Sequence, residues 1–277
     1  HIVNGYKLLW IIGGAGLIAT FFLKIESLKK TIILLFILCS MIAVIPGYYF
    51  RNHYFIIFLP ALAFCIGLAF DYLRRAMIKR TGNKTAISFS LIVIFFIISV
   101  SSIAQNKSYF FKKDPVELSR QIYGRNPFVE APQISRVIKA NTAPDDKIAI
   151  LGSEAEILFY ADRKSATGFL FTYQLVSPNE HSLKLQKQMI HEIEQNKPEI
   201  LLFINVNTSW LRHPEAPNVI FEWSGKYTNT YYQHAGTIDI TNKGTIYKYG
   251  AEARQYKPAS TQYILLFKRA KAQANNK

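Results

Sequence analysis

The sequence predicts a membrane α-helical region with four transmembrane helices, followed by a soluble α/β domain that has three layers and a mainly parallel sheet. Two observations predict this fold class. In residues 1–105 the apolar side chains form four near-continuous runs rather than the spaced pattern of an amphipathic helix. From residue 106 onward, apolar strands alternate with helical patterns, as in βαβ units. A content of 50% hydrophobic and 14% aromatic residues excludes a disordered chain.

The four runs have the length of membrane spans. Each holds about 17 to 20 residues, and at about 1.5 Å per residue such a helix approaches the hydrocarbon thickness of about 30 Å. Gly13, Gly14 and Gly16 lie within the first run and predict close helix packing. Because the chain begins at His1 rather than at a methionine, we expect the natural start to lie upstream. The predicted spans are residues 6–23, 31–47, 55–73 and 85–104.

The distribution of basic residues predicts the orientation. The loops at 24–30 and 74–84 hold three and five Lys/Arg, whereas the turn at 48–54 holds only Arg51. Lysine and arginine favour the cytoplasmic side, so both basic loops are expected inside. The 48–54 turn and everything after Ala104 are then expected outside. The net charge of +15 is largely explained by this topology, and we expect the lipid bilayer, not nucleic acid, as the partner.

The 48–54 turn carries the candidate binding site of the membrane region. Arg51 offers a planar fork of donors and His53 a further donor for a phosphate at the membrane boundary. Tyr54 adds a hydroxyl beside them. An interfacial aromatic belt, with Arg51 as a lipid headgroup anchor, is an equally good interpretation of these residues.

A family resemblance favours the phosphate interpretation. The run PGYYFRNHYFIIFLPALAFCIGLAFDYLRR, residues 46–75, resembles a late span pair of bacterial GT-C glycosyltransferases of the family 39 type, relatives of dolichyl-phosphate-mannose protein mannosyltransferases. Four later segments resemble the outer C-terminal region of such proteins: NPFVEAP at 126–132, LGSEAEI at 151–157, GAEA at 250–253 and YILLFK at 263–268. The resemblance implies transfer of a sugar from a polyprenyl-phosphate donor to a glycan, lipid or protein acceptor. The reaction would take place on the outer face of the bacterial cytoplasmic membrane.

The same resemblance implies that the catalytic carboxylate lies in the first outer loop of the complete enzyme. The only acids before Gln105 are Glu26 and Asp71, and the predicted topology places both at the cytoplasmic side. We therefore assign no catalytic residue here and expect the chain to be the C-terminal part of a glycosyltransferase, inactive by itself. The lipid-linked sugar is the expected donor substrate, and the sequence leaves open whether a divalent metal assists its binding.

The predicted α/β domain covers residues 126–269, between a connector at 106–125 and a basic tail at 270–277. Ile134, Val137 and Ile138 at helical spacing predict its first helix, and Ser153 with Glu156 forms a capping-box pattern that begins its second. Alternation and length predict the remaining elements. The predicted helices are 131–141, 153–160, 177–196 and 218–231, and the predicted strands are 147–151, 166–171, 199–206, 237–240, 244–249 and 262–269.

A second candidate site lies in this domain. In open α/β sheets ligands bind at the carboxyl ends of strands, which marks Gly152, Ser153 and Glu154 and, after the 199–206 strand, Asn205 and Asn207. A structural explanation is favoured over a ligand site for the first three, because a tight turn explains Gly152, helix capping explains Ser153 and the helix dipole explains Glu154. No Gly-x-Ser-x-Gly elbow surrounds the serine, which argues against a serine hydrolase, and the histidines show no metal-ligand spacing.

An alternative from another functional class stays open at this point. The chain is also compatible with a non-catalytic, membrane-anchored module whose α/β domain binds a partner or a glycan. A transporter is disfavoured, because no ionisable residue lies at the centre of a predicted span.

Overall fold

A computed structural model of the chain describes residues 6–46, 48, 50, 52–112 and 114–270. The chain forms two compact units, residues 1–113 and 114–277. The first unit is helical, and its α-helices are α1 (Lys7–Phe22), α2 (Ser27–Ile42), α3 (Leu59–Thr81) and α4 (Lys84–Gln105). A 3-10 helix spans Asn52–Ile56 and a π-helix spans Ser108–Lys112.

Local signals set the bounds of α3 and α4. Pro60 occupies the first turn of α3, where its missing N–H costs no hydrogen bond. Gly82 ends the helix in the left-handed conformation, with φ 73°, and donates its N–H to the carbonyl of Ile78 at 2.8 Å. Asn83 then caps α4, because its side chain accepts the N–H of Ala86 at 3.0 Å. A left-handed glycine followed by an N-cap makes α3 and α4 a helical hairpin.

The prediction of four membrane-spanning helices is wrong. Within the described part of the chain, only α4 is long and apolar enough to cross a membrane by length and composition, with a mean hydropathy of 2.5. Helix α1 is apolar but has 16 residues, a length of about 24 Å. Helix α2 also has 16 residues, and the second half of α3 carries Asp71 and four basic residues. The apolar runs did not give the helix ends, because turns and caps, not composition, determine where each helix begins and ends.

The second unit contains one six-stranded sheet and the helices that pack on it. Its α-helices are α5 (Pro115–Tyr123), α6 (Ala131–Ala140), α7 (Ala155–Ala161), α8 (Ser182–Asn196), α9 (Asn207–Trp210), α10 (Val219–Tyr231) and α11 (Ala251–Gln255). Its strands are β1 (Lys147–Leu151), β2 (Lys164–Ser165), β3 (Ile200–Asn205), β4 (Tyr232–Thr241), β5 (Gly244–Tyr249) and β6 (Tyr263–Arg269). A 3-10 helix spans Tyr173–Val176.

The prediction of a mainly parallel sheet is also wrong. The strand order is β2-β1-β3-β6-β4-β5. Strand β1 is parallel to β2 and β3, whereas the pairs β3–β6, β6–β4 and β4–β5 are antiparallel. The antiparallel part arises because β4 and β5 form a hairpin and β6, the last strand, inserts between β3 and β4. The sheet is therefore mixed.

Helices cover both faces of this sheet. Alternate residues of a strand point to opposite faces, and those of β1 and β3 divide between two hydrophobic clusters. One cluster contains Ile148 and Ile150 with apolar residues of α6 and α7. The other contains Ala149 and Leu151 with residues of α8 and α10. This packing fixes the carboxyl ends of β1 and β3 at the same edge, since the two strands are parallel neighbours.

Candidate functional site

The turn that carries the predicted phosphate site lies between α2 and α3. Arg51 lies outside the described residues. His53 and Tyr54 lie in the 3-10 helix, where His53 is exposed and Tyr54 is half-buried. Their rings meet edge to face, with 4.7 Å between the centroids. This contact joins two neighbouring residues of the sequence, and the phosphate site at this turn stays a prediction.

An apolar cleft of about 440 Å³ lies beside this turn. Its walls are formed by residues of α1, α2 and α3, by Phe50 and Phe55 of the turn, and by Phe58 at the start of α3. Trp10 of α1 stacks on Phe58 at a centroid distance of 5.8 Å and meets Phe55 edge to face at 6.4 Å. Because Phe55 directly follows Tyr54, the apolar wall begins one residue away from the polar groups of the turn.

Three glycines of α1 have different roles next to this cleft. A Cβ on Gly16 would overlap the backbone carbonyl of Cys65 in α3, and a Cβ on Gly13 would overlap the side chain of Leu62. The prediction of close helix packing is thus confirmed for these two residues. A Cβ on Gly14 would meet no atom within 4 Å, and Gly14 lines the cleft.

The two acids of the first unit are engaged in ion pairs. Glu26 contacts Lys29 at 3.3 Å, and Asp71 contacts Arg74 at 3.3 Å and Arg75 at 2.8 Å. A general base must lie within hydrogen-bond reach of the proton that it removes. Neither carboxylate belongs to the 46–58 turn, so neither is a base for chemistry there.

The candidate site of the second unit is a hydrogen-bonded cluster at the carboxyl ends of β1 and β3. Ser153 Oγ donates to the carbonyl of Ser209 at 2.6 Å and accepts the N–H of Thr172 at 3.0 Å. The N–H of Ser153 donates to Ser209 Oγ at 3.0 Å. The N-cap of α7 is Glu154, without a side-chain capping bond. The capping explanation for Ser153 is therefore wrong, because its hydroxyl joins two loops instead.

Glu154 is the buried acid of this cluster. It is 3% exposed, and its Oε2 accepts a hydrogen bond of 2.8 Å from Ser209 Oγ. Burial raises the pKa of Glu154 to about 7, although the bond from Ser209 lowers it, and the nearby Glu156 carboxylate raises it further. Burial also raises the pKa of Glu156. Gly152 is required beside them, because a Cβ there would overlap Glu154 Oε2 and the side chain of Ile204.

Known proteins do not identify the chain. No known protein-family model and no curated protein matches its sequence. The resemblance to GT-C glycosyltransferases therefore stays a prediction from the motifs.

Sequence reasoning missed two members of the second-unit cluster, Thr172 and Ser209. Both are buried, and Thr172 Oγ1 donates to the carbonyl of Ser209 at 3.1 Å. Ser209 lies only two residues after Asn207. The rule that ligands bind at the carboxyl ends of strands therefore identified the correct segment after β3, but it marked Asn207 instead of Ser209. Asn205 itself donates to the carbonyl of Thr261 at 3.0 Å and so anchors a neighbouring loop.

The described residues contain no group of three His, Cys, Asp or Glu that could hold a metal ion. In the second unit, His181, His191 and His213 are exposed, and His234 is half-buried on β4.

Proposed function

We propose that this chain is the donor-binding part of an integral membrane glycosyltransferase. It moves a sugar from a polyprenyl-phosphate donor to an acceptor on the outer face of the bacterial cytoplasmic membrane. The observation that carries the proposal is the apolar cleft lined by Phe50 and Phe55, which lie on either side of His53 and Tyr54 in the sequence. A polyprenyl phosphate has a long apolar chain and a charged head, so its site must join an apolar cleft to polar donors.

The properties of α4 support a location in the membrane. Its apolar side chains are largely exposed, with 11% of its most apolar window buried within the protein. Exposed apolar surface of that extent is stable in hydrocarbon and unstable in water. Residues 74–84 hold five Lys/Arg before the core of α4, and residues 106–113 hold three after it. The excess of positive charge supports a topology with the N-terminal end of α4 inside and the second unit outside.

The turn would act on the leaving group. When the sugar departs, negative charge grows on the phosphate, and fixed donors at that position stabilise the transition state. His53 and Tyr54 supply two donors, and the sequence adds Arg51, which lies outside the described residues. Since Glu26 and Asp71 are held in ion pairs, the proposal gives this chain the donor site and not the catalytic base.

The same ion pairs favour a second candidate function, a non-catalytic module anchored in the membrane by α4. In that case the second unit binds a partner or a glycan and no sugar is transferred. The two functions differ in their need for a lipid-linked donor. Only the glycosyltransferase requires that the cleft bind a polyprenyl phosphate.

Filling the cleft tests the proposal. The variant Gly14→Leu adds a side chain where a Cβ meets no atom within 4 Å, so it extends into the cleft from a position that makes no close helix contact. With purified chain in detergent and a fluorescent polyprenyl phosphate as the probe, we expect at least a tenfold loss of affinity. His53→Ala should weaken binding of the phosphate but not of the uncharged polyprenol. Equal affinities of Gly14→Leu and the parent for the phosphate would refute the donor site.

A further inference from the structure

A second groove in the first unit lies between α3 and α4. It has a volume of about 400 Å³. Its walls are apolar along most of its length and include Ile66, Phe70, Leu91 and Phe95. Phe70 and Phe95 meet edge to face across it, with a centroid distance of 5.7 Å. A groove of this size is within the range of small-molecule sites, about 300–1,000 Å³.

Gly67 gives the groove much of its room. It lies on the wall formed by α3, and a Cβ at this position would meet no atom within 4 Å. Glycine weakens a helix relative to alanine. Since no neighbouring atom requires a glycine here, helix packing does not explain it, and the open groove does.

One end of the groove is polar. Asp71, Arg74 and Ser88 line the end nearer to the Gly82–Asn83 turn, whereas the apolar residues line the rest. Arg75 Nε donates to Asp71 Oδ2 at 2.8 Å, and one terminal nitrogen of Arg74 donates to Asp71 Oδ1 at 3.3 Å. The two guanidinium groups outweigh the single carboxylate. A guanidinium carries five N–H donors, so Arg74 has further donors for an oxyanion at this end.

The surrounding sequence adds more positive charge to the polar end. Lys79, Arg80 and Lys84 follow within the same helical hairpin. Basic pockets between membrane helices bind the headgroups of anionic lipids, and each basic residue near an anionic surface strengthens that attraction. The charge of this end therefore matches an anionic headgroup and not a zwitterionic one.

The groove also has the direction of a lipid in one leaflet. Ser88 lies in the second turn of α4, and Phe95 lies about 10 Å farther along the helix at about 1.5 Å per residue. If α4 crosses the membrane, the polar end is at the water boundary and the apolar walls extend into the hydrocarbon. We propose that this groove binds one acyl chain of an anionic phospholipid, with its phosphate at Arg74. The site is separate from the donor cleft and does not depend on glycosyltransferase activity.

Binding of phospholipids to the full chain tests this site. In nanodiscs or detergent, with fluorescent phosphatidylglycerol and phosphatidylcholine as the probes, we expect phosphatidylglycerol to bind at least tenfold more tightly. Arg74→Gln should remove that preference. Gly67→Leu fills the groove and should weaken both lipids at least tenfold.

Matched variants make the result specific. Arg80→Gln removes a nearby basic residue that does not line the groove, and Gly14→Leu fills the donor cleft instead; both should keep the preference for phosphatidylglycerol. Inorganic phosphate at millimolar concentration should not compete, because it lacks the acyl chain. Equal binding of the two lipids by the parent, equal losses in Arg74→Gln and Arg80→Gln, or full competition by phosphate would overturn the proposal. If Gly14→Leu lost polyprenyl phosphate and Gly67→Leu kept phospholipid, the donor site alone would stand.

Discussion

The hydroxyl of Ser209 donates a hydrogen bond of 2.8 Å to Oε2 of Glu154, a carboxyl that is 3% exposed. This bond joins the residues after β1 to α9, the short helix after β3, over a separation of 55 residues in the sequence. The pKa of Glu154 is raised from 4.5 to about 7 because the charged form is desolvated. The folded protein therefore holds a proton that the unfolded chain releases at a lower pH.

This proton makes the stability of the second unit depend on pH. Since the folded pKa is raised, the contribution of Glu154 is fully present below pH 4.5 and decreases as the pH rises to about 7. The decrease in the free energy of unfolding is on the order of 3 kcal/mol. In the variant Glu154→Gln we expect the pH dependence over this range to be reduced, and the part that remains comes from Glu156, whose pKa burial also raises. The pH dependence of the stability is measured by hydrogen-exchange protection factors of the β1 and β3 amides, corrected for intrinsic exchange at each pH.

An exposed acid provides the control for this experiment. The side chain of Glu180 is 85% exposed, so Glu180→Gln should retain the pH dependence of the parent. The same dependence in parent and Glu154→Gln would show that Glu154 does not titrate between pH 4.5 and 7.

The contact of Gly16 with Cys65 predicts a difference between two glycines of one helix. In Gly16→Ala the new Cβ overlaps a backbone carbonyl, which cannot move away as a side chain can. We expect α1 and α3 to separate locally, at a cost of about 1–3 kcal/mol. In Gly14→Ala the Cβ meets no atom within 4 Å, and the helix gains up to about 1 kcal/mol. Thermal unfolding in detergent, followed by circular dichroism, measures both effects. The transition temperature should fall in Gly16→Ala and should not fall in Gly14→Ala.

The bounds of a strand in the second unit could be predicted where the residues of the strand and its adjacent turns carry the signal. The strands at Lys147–Leu151 and Gly244–Tyr249 have the predicted bounds, because their patterns and their turns agree. The predicted strand at 166–171 is wrong. Ala166 still donates its N–H to the carbonyl of Ile148 at 2.8 Å, but the N–H of Gly168 then bonds to Glu192 Oε2 at 2.8 Å. After Ala166, hydrogen bonds between side chains and the backbone therefore replace the hydrogen bonds of the sheet.

Long-range relationships could not be predicted. Nothing local to Tyr263–Arg269 shows that it inserts between β3 and β4, so the antiparallel part of the sheet was missed. The candidate cluster has the same limitation. The strand-end rule found Glu154. Thr172 and Ser209 belong to the cluster through hydrogen bonds between residues 19 and 55 positions apart in the sequence, which the rule does not predict. In the first unit, apolar composition located the helices but not their ends.

A buried ion pair should stabilise the start of the second unit. Arg120 of α5 contacts Glu130, which is fully buried, and Thr245 of β5 contacts the same carboxylate. The variant Arg120→Met leaves a buried carboxylate without its cation, at a cost of about 3–5 kcal/mol. We expect faster hydrogen exchange in α5 and β5. The double variant Arg120→Met/Glu130→Leu should recover most of the loss, because it removes the unpaired charge as well.

A surface ion pair serves as the comparison. Lys139 and Asp162 are 3.7 Å apart, with side chains 56% and 83% exposed, so Lys139→Met should cost no more than about 1 kcal/mol. If Arg120→Met were as mild as Lys139→Met, the buried pair would not hold α5 in place.

The role of the Ser153 hydroxyl separates two explanations of the same sequence pattern. As a helix cap it would act together with Glu156, whereas in the structure it accepts the N–H of Thr172 at 3.0 Å and donates to the carbonyl of Ser209 at 2.6 Å. In Ser153→Ala a buried amide loses its acceptor, which costs about 1–3 kcal/mol. The Thr172 amide should then exchange at least fivefold faster. Glu156→Gln should leave the exchange of the Thr172 amide unchanged, because no hydrogen bond joins Glu156 to Thr172 in the part of the chain that the structure describes. Faster exchange at α7 alone, with Thr172 unaffected, would restore the capping explanation and remove Ser153 from the junction of the two loops.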